Sequence, residues 1–176
     1  YLINKKLITS KSIEKIKTEL EGTFDRDIEF ALSSKEQKST KSTELNDVYC
    51  KKLDVTYPTV KTSSEKRYVD AISDAIDQKL HADDSVVLMG QDVAEYGGVF
   101  KISDGFLKKY GKDRIKNTPI IESGILGAAM GMSFEGLKPI VEMQFADFVS
   151  CGYNQIVNNL AKTHYRWNEA VNVTIR

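Results

Sequence analysis

Asn117-Thr-Pro-Ile-Ile-Glu-Ser-Gly-Ile-Leu-Gly-Ala-Ala-Met-Gly-Met132 is the stretch on which the reading of this chain turns. It sets one carboxylate, Glu122, between a short apolar run and a helix of small and apolar residues. Gly124, Gly127, Ala128 and Gly131 fall on one face of that helix, and each glycine costs roughly 1 kcal/mol of helix propensity against alanine. Close approach to a strand or a partner helix is the expected compensation, tight internal packing being the simplest form. Glu122 stands among Ile120, Ile121, Ile125 and Leu126, so it is expected to be partly dry and rigidly aimed. Desolvation disfavours a charged carboxyl, and a carboxyl so shifted in a cleft is a candidate proton donor or acceptor. The plain alternative is an exposed acid favoured by the helix macrodipole.

On both sides of this stretch the pattern is alternating α/β. A helix from Tyr68 to Leu80 precedes a buried strand, Ser85–Met89. A short helix from Asp104 to Tyr110 ends at Gly111 and is followed by a brief strand, Arg114–Lys116. Beyond the small-residue helix come a strand at Pro139–Met143, a long helix from Asp147 to about Tyr165, and a strand at Val171–Ile175. Strands alternating with helices predict a mostly parallel sheet covered by helices on both faces. Ligands in such sheets sit beyond the carboxyl ends of the strands. The loops at 91–98, 118–122 and 144–148 are therefore expected to gather there.

Ahead of this domain, Ile13, Ile16, Leu20, Phe24 and Ile28 make one apolar helical stripe, with Ser10 or Ser12 as cap and Gly22 as a point of division. One stripe cannot form a core and predicts a partner. The polar run from Ser33 and the segment to Ser64 read as a linker or arm. The organisation expected is a helical tail over 1–50, a linker over 51–64 and an α/β domain over 65–176.

Lys+Arg and Asp+Glu balance at 25 each in 176 residues, so no global field draws the chain to nucleic acid or an anionic membrane. No apolar run is long enough to span a bilayer. Cys50 and Cys151 have neither metal-ligand nor disulfide spacing, which points to a reducing cytoplasm. The opening at Tyr1 and the close at Arg176 read as cuts within a longer polypeptide. His81 and His164 lie in no metal or nucleophile motif. Gln144 and Phe148, four residues apart, suit a planar heterocycle, and Asp147 reads as a helix N-cap. No GxGxxG or GxxxxGK[ST] phosphate loop occurs.

Met89-Gly-Gln-Asp-Val, Tyr96-Gly-Gly-Val-Phe, Phe106-Leu-Lys-Lys-Tyr-Gly, Thr118-Pro-Ile-Ile-Glu-Ser-Gly-Ile-Leu-Gly, Pro139-Ile-Val-Glu-Met-Gln-Phe-Ala-Asp-Phe and Gln155-Ile-Val-Asn match a family in order and spacing. With them, residues 65–176 resemble the amino-terminal, pyrimidine-binding domain of the beta subunit of thiamine-diphosphate-dependent 2-oxo acid dehydrogenases. The Gln-Phe-Ala-Asp run leans toward the branched-chain members. Residues 1–50, ending in Asp47-Val-Tyr49, more faintly resemble an alpha-subunit tail, which implies a fused alpha–beta chain.

The resemblance implies that Glu122 bonds the cofactor's pyrimidine nitrogen and controls its proton, and that Ile120, Gln144 and Phe148 border that ring. It also implies magnesium held by an alpha-type diphosphate domain outside this chain, an acyltransferase partner, and a homo-oligomer. The catalytic histidine would lie past Arg176. Phe148 stands where some members have tyrosine, and Asn154 where aspartate is usual. The alternatives are an acetoin- or pyruvate-type or transketolase-like enzyme, and a non-catalytic interaction module of the same fold.

Overall fold

The structure is a computed structural model that describes residues 1–49 and 63–176. Most of the expected linker, with Cys50 and Pro58, lies outside the described residues. The chain divides into two compact units, Tyr1–Lys41 and Ser42–Arg176.

The first unit is essentially one helix, α1 (Ser10–Ser33), none of whose residues is buried. Neither expected serine is its cap. Thr9 caps it, accepting from the Ser12 amide, and Ser12 returns the bond from its side chain to the Thr9 amide, a reciprocal capping box. Gly22 does not divide the helix, because good helix formers on both sides carry it through. The expected stripe is real but uncovered: Ile16, Leu20, Phe24 and Ile28 all face solvent. The second unit opens with α2 (Lys41–Val48), a helix inside what had read as a polar arm.

The α/β part follows as α3 (Tyr68–Ala82), β1 (Val86–Gly90), α4 (Phe106–Tyr110), β2 (Ile115–Asn117), α5 (Glu122–Phe134), β3 (Lys138–Glu142), α6 (Thr163–Trp167) and β4 (Thr174–Ile175). The four strands form one parallel sheet in the order β2-β1-β3-β4. β1 is buried at all five positions, as a central parallel strand must be. Its alternate side chains feed two cores. Val86 and Leu88 pack with Ile76, Leu80, Phe106 and Ile115 beneath α3 and α4. Met89 packs with Ile125, Leu126, Ala129 and Val141 beneath α5. Helices thus cover both faces, as the alternation predicts.

The register places Asn117, Gly90 and Glu142 in one row at the carboxyl edge. Arg176 continues that row, one step past the Val141–Ile175 pair, with its amide bonded to the Val141 carbonyl at 2.9 Å.

The small-residue face of α5 departs from the internal-packing expectation. Gly127 lies against Gln155, but Gly131 and a Cβ built on it meet open space, and Gly124 and Ala128 are exposed. The long helix expected from Asp147 is also not a regular α-helix. It runs as a 3-10 segment (Ala146–Gly152), a π segment (Gln155–Asn159), a second 3-10 turn (Leu160–Lys162) and then α6. Gly152 is forced close to α5, since a Cβ there would lie 2.3 Å from Leu126 Cδ1. The Thr163 hydroxyl donates to the Asn159 carbonyl at 2.7 Å and so competes with the regular backbone ladder. Asp147 does not cap this run: Phe145 holds the N-cap position without a side-chain bond.

The amino edge of the sheet is stapled by charge. Asp83 accepts from Lys138 Nζ at 2.6 Å, and from the Ser85 hydroxyl and amide. Lys138 chiefly, and Ser85 next, hold its carboxyl well below the usual carboxylate range. A depressed folded pKa contributes stability that is full above the unfolded value of about 3.9 and is lost as pH falls toward the folded one. Urea unfolding should therefore find Asp83→Asn less stable than wild type near neutral pH. The difference should shrink as the pH is taken below about 3.9, where the unfolded chain's carboxyl takes up its proton while the folded one still resists it. An undiminished difference in acid would show that the staple does not act through charge.

Candidate functional site

The carboxyl edge gathers the site because the parallel strands all end there and β1, β2 and β3 each hand the chain to a loop. After β1, residues 91–98 form a tight loop tied to itself and to β2. Asp92 takes a left-handed φ of 56°, and its carbonyl accepts the Gly98 amide at 2.8 Å. Gly97 and Gly98 both have positive φ, a conformation that glycine adopts without the Cβ strain other residues meet. The buried Ser103 hydroxyl holds the Val93 carbonyl at 2.7 Å.

Asn117, the last residue of β2, is the tie between two loops. Its Oδ1 accepts the buried Ala94 amide at 2.8 Å, and its Nδ2 donates to Glu95 at 2.6 Å. The Thr118 amide then returns to the Gly90 carbonyl at 2.9 Å. This brings the 91–98 and 118–122 loops together, as the strand-edge argument expected.

Glu122 opens α5, half-buried, with Ile121 in the cap position and no side-chain cap. Its Oε1 accepts one hydrogen bond, from Gln91 Nε2 at 3.2 Å. Among the described residues no group bonds Oε2, and no cation pairs with Glu122. The side chain therefore combines partial burial, a fixed neutral donor on one oxygen and a second oxygen open to an occupant. Such a carboxyl can share a proton with a ring nitrogen. Nearby in the chain, Thr118 Oγ1 is buried without a hydrogen-bond partner, a polar group left for something else to satisfy.

The remaining expected residues are distributed more loosely. Ile120 is 83% exposed and walls nothing within this chain. Gln144 is half-buried just past β3. Phe148 is half-buried and meets Phe145 edge-on at 5.4 Å, and Phe145 meets Phe100 edge-on at 6.0 Å. This chain of rings links the 144–148 loop to the end of the 91–100 loop. Among the described residues, no hydrogen bond joins the Glu122 side chain to Gln144. Among the described residues, no three His, Cys, Asp or Glu side chains cluster to hold a metal ion.

Three residues of this edge were missed from the sequence. Gln91 lay in a loop noted only for its acids and glycines. Asn117 read as the first residue of a motif, not as a tie. Glu142 read as a strand residue. It is in fact buried and paired with Arg176 Nη1. Burial pushes the Glu142 carboxyl up, while the Arg176 charge opposes that shift. An acid directly after the apolar Pro139-Ile-Val run was the available signal.

The family model for the transketolase pyrimidine-binding domain matches residues 64–174. The 2-oxoisovalerate dehydrogenase subunit beta of Pseudomonas aeruginosa is 46% identical over 105 residues, covering 60% of this chain and 30% of that protein. The pyruvate dehydrogenase E1 component subunit beta of Acholeplasma laidlawii is 46% identical over 98 residues, covering 56% of this chain and 30% of its own length. The chain thus spans about 30% of the length of these curated relatives. A solved split-gene transketolase, described as an inactive beta4 tetramer, is 21% identical with a TM-score of 0.45, covering 60% of this chain and 31% of its own.

Removing the Asn117 side chain should leave the Ala94 amide buried without its acceptor. Asn117→Ala is expected to cost about 1–3 kcal/mol, read by thermal unfolding, with faster amide exchange concentrated at Ala94 and Glu95. Exchange rising equally across α3 and β1 would point to general destabilisation instead.

Proposed function

Because the chain belongs to the transketolase pyrimidine-binding domain family over residues 64–174, we propose that it supplies the pyrimidine half of a thiamine diphosphate site. The enzyme is the decarboxylating component of a 2-oxo acid dehydrogenase complex, and branched-chain 2-oxo acids are its favoured substrates. The observation that carries this reading is Glu122, half-buried at the carboxyl edge of the sheet, with a single neutral donor on Oε1. A non-catalytic module would call for Glu122 to be exposed and away from any such edge.

In this reading Glu122 holds a proton between its free carboxyl oxygen and the pyrimidine ring nitrogen. Gln91 fixes the plane of the carboxyl by bonding the other oxygen. Phe148, Gln144 and Ile120 border the ring and orient it, and Thr118 Oγ1 is available to a polar group of the occupant. When bound, thiamine diphosphate supplies the electron sink for loss of carbon dioxide from the 2-oxo acid, while the protein supplies orientation and proton control. Magnesium and the diphosphate are assigned to an alpha-type domain that completes the site, and the acyltransferase of the complex takes the product onward. The alpha-type tail over 1–50, the linker over 51–64, a homo-oligomeric assembly and a cytoplasmic location belong to the same proposal. The exposed face of Gly124, Ala128 and Gly131, and the bare stripe on α1, support the need for partners.

The relatives named for 2-oxoisovalerate and for pyruvate are equally identical to this chain, so substrate choice is decided by assay. In the full-length natural chain with thiamine diphosphate and magnesium, Glu122→Gln should lower turnover at least about a hundredfold. Circular dichroism should remain unchanged. Branched-chain 2-oxo acids should rank above pyruvate in wild type. Unchanged turnover in Glu122→Gln would remove the proton role from this residue.

A further inference from the structure

Glu142 is the one buried acid among the described residues, and nothing said so far of Glu122 uses it. It ends β3 directly opposite Gly90, which ends β1. A Cβ on Gly90 would lie 2.9 Å from the Glu142 carbonyl oxygen and 3.0 Å from its Cβ. A Cβ on Gly98 would lie 2.9 Å from Glu142 Oε1. The backbone at both ends of the 90–98 loop therefore rests on this one residue, closely enough that neither end tolerates a side chain. Arg176 takes the other oxygen, Oε2, and so turns Oε1 toward Gly98.

From Gly98 the connection runs back through the loop. The Gly98 amide is bonded to the Asp92 carbonyl at 2.8 Å. Asp92 adjoins Gln91, which holds Glu122. A shift of Gly98 therefore pulls on Asp92 and moves the amide that fixes the Glu122 carboxyl. An apolar side chain could fill the space under Gly98 but would leave the largely covered Arg176 guanidinium without its partner.

We propose that Glu142 is a positioning residue of the Glu122 site: it is the floor on which both ends of the 90–98 loop rest, and through that loop it sets Gln91 against Glu122. The inference rests on the reading of Glu122 as the group that holds the proton.

The test uses the full-length natural chain with the substitutions E142A, E142Q, Q91A, E122Q and the E142A/Q91A double. Hydrogen exchange over residues 91–99 is measured without cofactor, and kcat with thiamine diphosphate, magnesium and a branched-chain 2-oxo acid. E142A should speed exchange over 92–98 by about tenfold or more while β1 stays protected. It should lower kcat by about tenfold to a hundredfold. Because Glu142 acts through Gln91, the double should be no more than about twofold worse than the poorer single. Where E142A does not fold, E142Q, which keeps the volume, carries the same measurements with smaller changes in the same direction. Unchanged exchange over 92–98 with unchanged kcat would overturn the proposal, as would single effects that multiply in the double. E122Q separates the two readings: if it turns over normally, the proton role of Glu122 falls, while exchange over 92–98 still decides whether Glu142 supports the loop.

Discussion

All four strands of this sheet end on the same edge, and their register sets what stands in the last row. β1 pairs with β2 and β3 so that Asn117, Gly90 and Glu142 align. Every feature of the site depends on that alignment. Asn117 reaches Ala94 because β2 ends level with β1. The Thr118 amide finds the Gly90 carbonyl for the same reason. Glu142 meets both Gly90 and Gly98 because β3 ends in the same row. A slip of one residue in any strand would turn its side chains to the opposite face.

The elements of this sheet were legible because their signals are local. β1 is a five-residue apolar run, α3 has an unbroken helical stripe, and Gly111 and Gly136 take the positive φ that ends α4 and α5. The gathering of loops at the carboxyl edge followed from parallel topology alone. What failed depended on contacts between distant segments. The 146–162 run reads as one helix by composition, but Gly152 pressed on Leu126 and the Thr163 hydroxyl bonded to the Asn159 carbonyl mark where its regularity is lost. Gln91, Asn117 and Glu142 carry no motif of their own. Each is an ordinary polar residue whose role appears only when a neighbour some twenty or more positions away is set beside it. Of the site residues expected from the sequence, Glu122 stands half-buried at the edge, while Ile120 stands exposed.

The α5 face states the same dependence in energetic terms. Two exposed glycines there cost roughly 1 kcal/mol each against alanine; a Cβ on Gly124 would crowd Ile121 at 3.0 Å, while one on Gly131 would meet open space. A solvent-facing helix gains nothing from such residues. A face built for close approach does, and the apolar stripe of α1 has the same character on a larger scale. Both are surfaces whose composition makes sense only when covered.

The two acids of the carboxyl edge show why burial alone does not select the residue suited to proton work. Glu142 is the more enclosed, yet it faces a guanidinium, and a proton placed on it would leave that buried cation unpaired. Its charge is therefore tied to the integrity of the sheet edge. Glu122 faces an amide, which donates to one oxygen and makes no demand on the charge of the other. An amide fixes position without fixing charge, and a guanidinium fixes both. The guanidinium stands on the acid beneath the 90–98 loop, and the amide on the acid to which we assign the proton.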